Sequence, residues 1–342
     1  MRRSIVFFLF SVSSLPLWSQ SSDWMMSESV APHRFEASQA VKHGIVLDLN
    51  ADSMAFDAGM VESPSIHYDD SLQCYVMVYT AYDRRKHSSI GWATSTDLLH
   101  WQRRGVLLRP SGNVDNGDAM GTTGPCLLHY RGVYYLFYLG LNTAGYEGRP
   151  IHLCLATSSS LSADSWTYRG VVIPTQPSGW ADRAIFHPCV CKVDGKWYCF
   201  FNAEGTVDGE VAERTGFATA DALEGPWHVE PERISQFAER RAKGLAIQCG
   251  DPSLFMWRGL VYMFYFNLSN GVVDHWAWTT KGEFPRGWRY GGVCINKTAE
   301  DDKYAHKPFV LIKDGTLYHF YTAVRRVNRR RIALQTFQLY TE

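Results

Sequence analysis

The chain has 342 residues, 46% hydrophobic and 14% aromatic, enough to bury a large core, and its composition is not that of a disordered protein. Its 34 basic and 34 acidic residues cancel, which argues against nucleic acid or an anionic membrane surface as a partner. A neutral small molecule or a polysaccharide suits that balance better.

Arg2 and Arg3 precede a mostly apolar stretch from Ile5 to Leu17, followed by Trp18-Ser19-Gln20. Residues 1–20 therefore read as a cleavable secretory signal, with an apolar stretch too short to stay behind as an integral membrane anchor. The expected location is periplasmic or secreted. Residues 21–43 form a lead-in, and the strand-like "HGIVLDLN", at about 44–50, has no hairpin partner of its own.

Five copies of one unit then follow, each with a first strand opening on an X-Pro step: "ESPSIHY", "TGPCLLHY", "FHPCVCKV", "GDPSLFMW" and "HKPFVLIK". Their prolines, Pro64, Pro125, Pro188, Pro252 and Pro308, are separated by 61, 63, 64 and 56 residues. A near-constant period of this size marks the blades of a propeller. In the third copy "HPCVCKV" meets the turn Asp194-Gly195, then "KWYCFFNAE", "RTGFATA" and "WHVEPE". Asp-Gly between two strand-like runs signals a hairpin, because Gly accepts the positive φ of a tight turn. The sequence thus predicts an all-β, five-bladed β-propeller over 44–342, with four antiparallel strands per blade and blades starting near 62, 124, 187, 250 and 306. The fifth copy stops one strand short, after "RIALQTFQLY". The strand at about 44–50 is expected to join that C-terminal blade and close the ring.

Most of the eight cysteines fall inside these strands, without the CxxC spacing of a zinc site, and read as small buried hydrophobes. A disulfide from Cys189 or Cys191 to Cys199 is the alternative. Tyr134, Tyr135, Phe137 and Tyr138 are expected to pack between blades, whereas the loop aromatics Tyr146, Trp180 and Tyr304 suit sugar stacking.

The X-Pro strand with "IHY" or "CKV", the "YYLFY" second strand, and "IGWATSTDLLHW" at Ile90 to Trp101 together resemble the five-bladed propeller glycoside hydrolases, families 43, 32, 68, 117 and 130. The resemblance covers residues 44–342. It implies a site in the central funnel, where the starts of the innermost strands would bring together Glu62, Thr123, Gly124, His187, Asp251, His306 and Lys307. Glycosidic cleavage uses one carboxylic acid to protonate the leaving oxygen and one carboxylate to activate water or attack the sugar. Glu62 and Asp251 are the first pair for those roles. Family 43 would place an Asp at the start of blades one and three and a Glu at blade four, where this chain has "ESP", "HP" and "GDP". Family 117 resembles the second half better, with Asp251 beside His306 as a proton donor.

Glu204 is a further catalytic candidate, and His187, Lys307, Arg183, Asp118, Trp180 and Tyr304 are candidates for binding substrate. Arg183, His187, His306 and Lys307, with Arg240, Arg241 and Lys243, would favour a uronate or sulfate on the sugar, or phosphate as the attacking species as in family 130. The resemblance implies an exported, exo-acting glycoside hydrolase for plant or algal-type poly- or oligosaccharides. A glycoside phosphorylase and a non-catalytic carbohydrate-binding propeller are the alternatives. No cofactor is required and no metal ligand is assigned, with a divalent cation such as calcium on the axis near His306 left open.

Overall fold

Each X-Pro unit folds into an antiparallel meander. The computed structural model describes residues 31–207, 209–234, 249–268 and 271–339, so the signal segment and Arg240, Arg241 and Lys243 lie outside the described residues. Meander I contains β2 (Met60–Asp69), β3 (Cys74–Tyr82), β4 (Ser88–Ser95) and β5 (Gln102–Leu108), preceded in the chain by β1 (Val41–Leu47). Meander II contains β6 (Gly121–Tyr130), β7 (Val133–Leu141), β8 (Ile151–Ser158) and β9 (Thr167–Ile173). Meander III contains β10 (Ala184–Val193), β11 (Lys196–Val207), β12 (Glu210–Ala220) and the short β13 (His228–Val229). Meander IV contains β14 (Cys249–Trp257), β15 (Leu260–Asn267), β16 (Val273–Thr280) and β17 (Arg289–Val293). The last has β18 (Tyr304–Lys313), β19 (Thr316–Val324) and β20 (Arg330–Gln338), and β1 pairs with β20 as its fourth strand, from Val41↔Thr336 to Leu47↔Ile332.

The first strands begin one to three residues before the expected starts, and the strand expected at 44–50 runs Val41–Leu47. One parallel bridge, Ala184↔Ile151, links meanders II and III into a single eight-stranded sheet. The architecture is all-β and propeller-like. Strands β2, β6, β10, β14 and β18 each touch the next of the five, and β18 touches β2. Apolar side chains fill the seams, for example Val78 with Leu136, Phe137 with Cys199, Phe200 with Met263, Phe264 with Leu317, and Met77 with Phe320.

The same irregularity interrupts every first strand. Ser63, Gly124, His187, Asp251 and Lys307, each immediately before its proline, have φ between +40° and +58°. At each the register slips, so that the X-Pro pair faces one residue of the second strand: Tyr79, Tyr138, Phe201, Tyr265 or Tyr321. This is a β-bulge, which bends the strand and re-aims its side chains. A non-glycine residue at such φ costs about 1–3 kcal/mol, so the surroundings must hold it. Three of the bulge N–H groups donate to a side chain on the preceding meander: Ser63 to Thr322 Oγ1 (3.0 Å), Gly124 to Thr80 Oγ1 (2.8 Å) and Asp251 to Asn202 Oδ1 (3.0 Å).

Behind three bulges the facing tyrosine is tied down by an aspartate seven residues before the proline. Tyr79, Tyr138 and Tyr321 donate to Asp57, Asp118 and Asp301 at 3.0, 2.9 and 2.9 Å. Asp118 is fully buried and also accepts from Ser111, so its place is in this repeated structural bond rather than on a substrate. Tyr134, Phe137 and Tyr138 are buried as expected, and Tyr135 is half-buried. All eight cysteines are free, so neither Cys189 nor Cys191 is bonded to Cys199.

Within the lead-in, Phe35 is fully buried against Phe255, Tyr262, Phe264, Trp276 and Phe337, with ring centroids 5.2–5.7 Å away. It plugs the seam between meander IV and the last meander from outside the repeat. Phe35→Ala is expected to cost about 3–5 kcal/mol. The check is a lower denaturant midpoint at unchanged m-value.

Candidate active site

The five bulges converge on one axis. A cavity of about 40 Å³ is lined by the X-Pro segments of all five meanders, with His187, Asp251 and Lys307 among its polar residues. It has room for a few waters rather than a sugar ring. Because the bulges carry the polar residues, the strain of the left-handed backbone and the placement of the ionisable groups have one structural cause.

Glu62 is 2% exposed and meets Lys307 Nζ at 3.0 Å through Oε1 and Arg330 Nη1 at 2.6 Å through Oε2. Burial alone would raise its pKa, but the charges of Lys307 and Arg330 outweigh burial and hold it at about 2. Tyr146, on the loop between β7 and β8, covers these cations. Lys307 Nζ lies 3.4 Å from the Tyr146 hydroxyl, Arg330 donates to the same oxygen, and the Arg330 guanidinium lies 4.3 Å from the ring centroid.

Asp251 receives no such cation pair. Its Oδ1 lies 3.4 Å from His187 Nε2 and its Oδ2 3.7 Å from His306 Nδ1. Burial pushes its pKa up to about 8, with Glu213, Glu147 and Glu62 adding to the rise against the pull of Lys307. Both histidines lie well below the ordinary imidazole value, through burial first and then Lys307. Near neutral pH these contacts join neutral groups, not ions. The buried Nε2 of His306 has no hydrogen-bond partner among the described residues. Tyr304 and Phe266 flank that imidazole, with centroids 5.6 and 5.2 Å away.

On the rim, Glu204 sits between Arg149 Nη2 (2.8 Å) and Arg183 Nε (3.0 Å). Opposite it in the β11–β12 register stands Glu213, half-buried, which accepts one hydrogen bond from Asn202 Nδ2 (3.1 Å). Burial, then Glu147 and Glu204, raise Glu213 to about 7, with Lys307 opposing.

The structure thus brings Glu62, His187, Asp251, His306 and Lys307 together, with Tyr304 alongside and Glu204 and Arg183 at the rim. Trp180 is elsewhere: it is 4% exposed, stacks on Phe201 at 5.2 Å and donates its indole N–H to Glu230 O (3.1 Å), so no ring face is left for sugar. Sequence reading missed Arg330, Glu213 and Asn202. When the third strands are aligned on "WATS", "LATS", "FATA" and "LQTF", Glu213 and Arg330 fall at the same position, where the copies in meanders I and II have Ser88 and Ile151. Among the described residues no group of three or more His, Cys, Asp or Glu side chains is arranged to hold a metal ion. No described helix is long and apolar enough to cross a membrane.

Glu62→Gln would leave Lys307 and Arg330 buried without their anion, at an expected cost of about 3–5 kcal/mol. The folded-state pKa lies below the unfolded value, so this stabilisation is present above the unfolded carboxylate pKa and disappears as pH falls through about 2. Denaturation of wild type and variant at pH 7 and pH 3 should show the gap narrowing with acid.

Residues 60–223 match the N-terminal domain of glycosyl hydrolases family 32. A curated relative, the raffinose invertase of Escherichia coli, is 29% identical over 190 residues, which is 52% of this chain and 36% of that protein. The chain therefore spans about a third of that relative's length. A solved structure described as a glycoside hydrolase superposes with a TM-score of 0.70 at 19% identity, covering 88% of this chain and 92% of the other. A family 117 glycoside hydrolase of the marine bacterium Zobellia galactanivorans superposes with a TM-score of 0.63 at 17% identity, covering 88% and 90%. With the bulged inner strands and the polar cluster on their axis, the chain thus shares the fold of the propeller glycoside hydrolases, and residues 60–223 are similar to the family 32 N-terminal domain.

Proposed function

We propose that the five meanders are the blades of a five-bladed propeller closed by β1, and that the protein is an exported, exo-acting glycoside hydrolase for plant or algal-type poly- or oligosaccharides. The observation that carries this reading is the Asp251 carboxyl, kept protonated near neutral pH between two uncharged imidazoles, in the same cluster as the ionised Glu62. A protonated carboxyl donates to the glycosidic oxygen as the bond breaks, which is the work of the general acid. Glu62 enters as the permanent anion that fixes Lys307 and Arg330 beside the donor. The histidines bind sugar hydroxyls, with His306 Nε2 free to accept. Exo action is supported by the loop bearing Tyr146, which covers one side of the cluster. The rim arginines Arg149 and Arg183 place acidic sugars among the substrates to test. Export follows from the N-terminal segment of the sequence.

Incubation with neutral, uronate-containing and sulfated oligosaccharides, with and without phosphate, is expected to release reducing sugar from chain ends without phosphate. A strict phosphate requirement would turn the reading to phosphorolysis. Asp251→Asn keeps the backbone bond to Asn202, and Asn tolerates left-handed φ, so the fold is expected to survive while kcat falls by about 10²–10⁴. The folded-state pKa of Asp251 is raised, so the wild type loses stability as pH climbs from the unfolded carboxylate pKa to about 8. The Tm of Asp251→Asn relative to wild type should accordingly rise from pH 5 to pH 9, and wild-type kcat/KM should decline above about pH 8.

A further inference from the structure

We infer that Glu213 is the second catalytic carboxyl of this site, the general base that activates water opposite the proton donor Asp251. The inference rests on the hydrolase reading above and gives it a residue that neither the strand openings nor the X-Pro steps supply.

Five geometric facts point to it. Both oxygens of Glu62 are engaged, one by Lys307 and one by Arg330, and Tyr146 stands over those cations, so each oxygen of Glu62 already faces a cation. Glu204 is likewise divided between two arginines. Glu213 accepts its one hydrogen bond among the described residues at Oε2, from Asn202 Nδ2, which leaves Oε1 open. The same Asn202 amide accepts the Asp251 N–H through Oδ1, so a single side chain fixes the two carboxyl-bearing residues relative to each other. Glu213 also stands four residues before Phe217 on its third strand, as Arg330 stands four before Leu334 on its own, and Arg330 reaches inward to Glu62. A base with a pKa near the working pH is far stronger than one near 2, and that separates Glu213 from Glu62 in the same direction.

The step balances without a co-reactant. Glu213 Oε1 takes a proton from water as the water oxygen bonds to the anomeric carbon. The bond from that carbon to the glycosidic oxygen breaks, and Asp251 gives its proton to the departing oxygen. The products are a sugar with a free anomeric hydroxyl and an alcohol. Asp251 ends ionised and Glu213 protonated, and transfer of one proton through solvent restores both.

The test pairs kinetics with labelling. Glu213→Gln is expected to lower kcat by about 10²–10⁴ and to abolish the rise of kcat/KM with pH through about 7, while Glu62→Gln keeps that rise. Retention of kcat within threefold, with the pH profile unchanged, overturns the assignment. Independently, N-bromoacetyl glycosylamines of the monosaccharides in the panel are incubated with wild-type protein, and the modified residue is located by peptide mapping. Ester formation at Glu213, absent in Glu213→Gln and retained in Glu62→Gln, supports the inference. Modification only elsewhere, or none, overturns it. If the wild type hydrolyses nothing, the hydrolase reading fails, and the label still decides whether Glu213 faces a bound sugar.

Discussion

Everything in this molecule that bears on chemistry depends on one backbone constraint: the residue before each of five prolines is held at positive φ near the start of an inner strand. A regular strand would alternate its side chains between the two faces of the sheet and send none of them along the axis. The bulge breaks that alternation at the place where the five strands approach one another. The cost is carried by neighbours, with Thr322, Thr80 and Asn202 each accepting a bulge N–H from the next meander. Where the second-strand counterpart is Leu139 or Phe266, the bulge residues are His187 and Lys307.

Around that axis the protein sorts its carboxylates by the company it gives them. Glu62 and Glu204 each lie between two cations, while buried Asp251 and half-buried Glu213 have imidazole, amide and other carboxylates as neighbours. Ion pairing lowers a carboxylate pKa, and burial beside like charge raises it, so Glu62 is held low while Asp251 and Glu213 are pushed up. A propeller achieves this with few residues because every inner strand contributes to the same small volume. Asn202 shows the economy: its two amide atoms hold the bulge of one meander and the carboxyl of another strand at once.

Much of this was readable from the chain. The X-Pro period marked the five meanders, the unfinished last copy pointed to the pairing of β1 with β20, and Glu62, His187, Asp251, His306 and Lys307 were found because they stand next to the repeated proline. What was not readable depends on which way a side chain turns. Trp180 lies in a loop, as an exposed platform would, yet packs against Gly216 and Phe201 in the core. Asp118 looked like a funnel carboxylate, although the spacing of seven to its proline recurs at Asp57 and Asp301 and marks a structural bond to tyrosine. Glu213 and Arg330 were passed over because a charged residue in the first half of a third strand reads as solvent-facing until the copies are aligned.

The partnership of β1 with β20 also orders events in time. A ribosome delivers Phe35 and Val41–Leu47 before the five meanders, yet their partners Phe337 and Arg330–Gln338 come only after four of them. Until then β1 has no strand to pair with, and the first four meanders must persist with one flank bare. Contacts this remote in sequence make assembly slow, and an unpaired apolar flank invites association with other chains in the interval. The same arrangement gives the folded repeat a clasp made from the strands that flank it, so that damage to β20 is felt on the axis, through Arg330, by the carboxylate it holds.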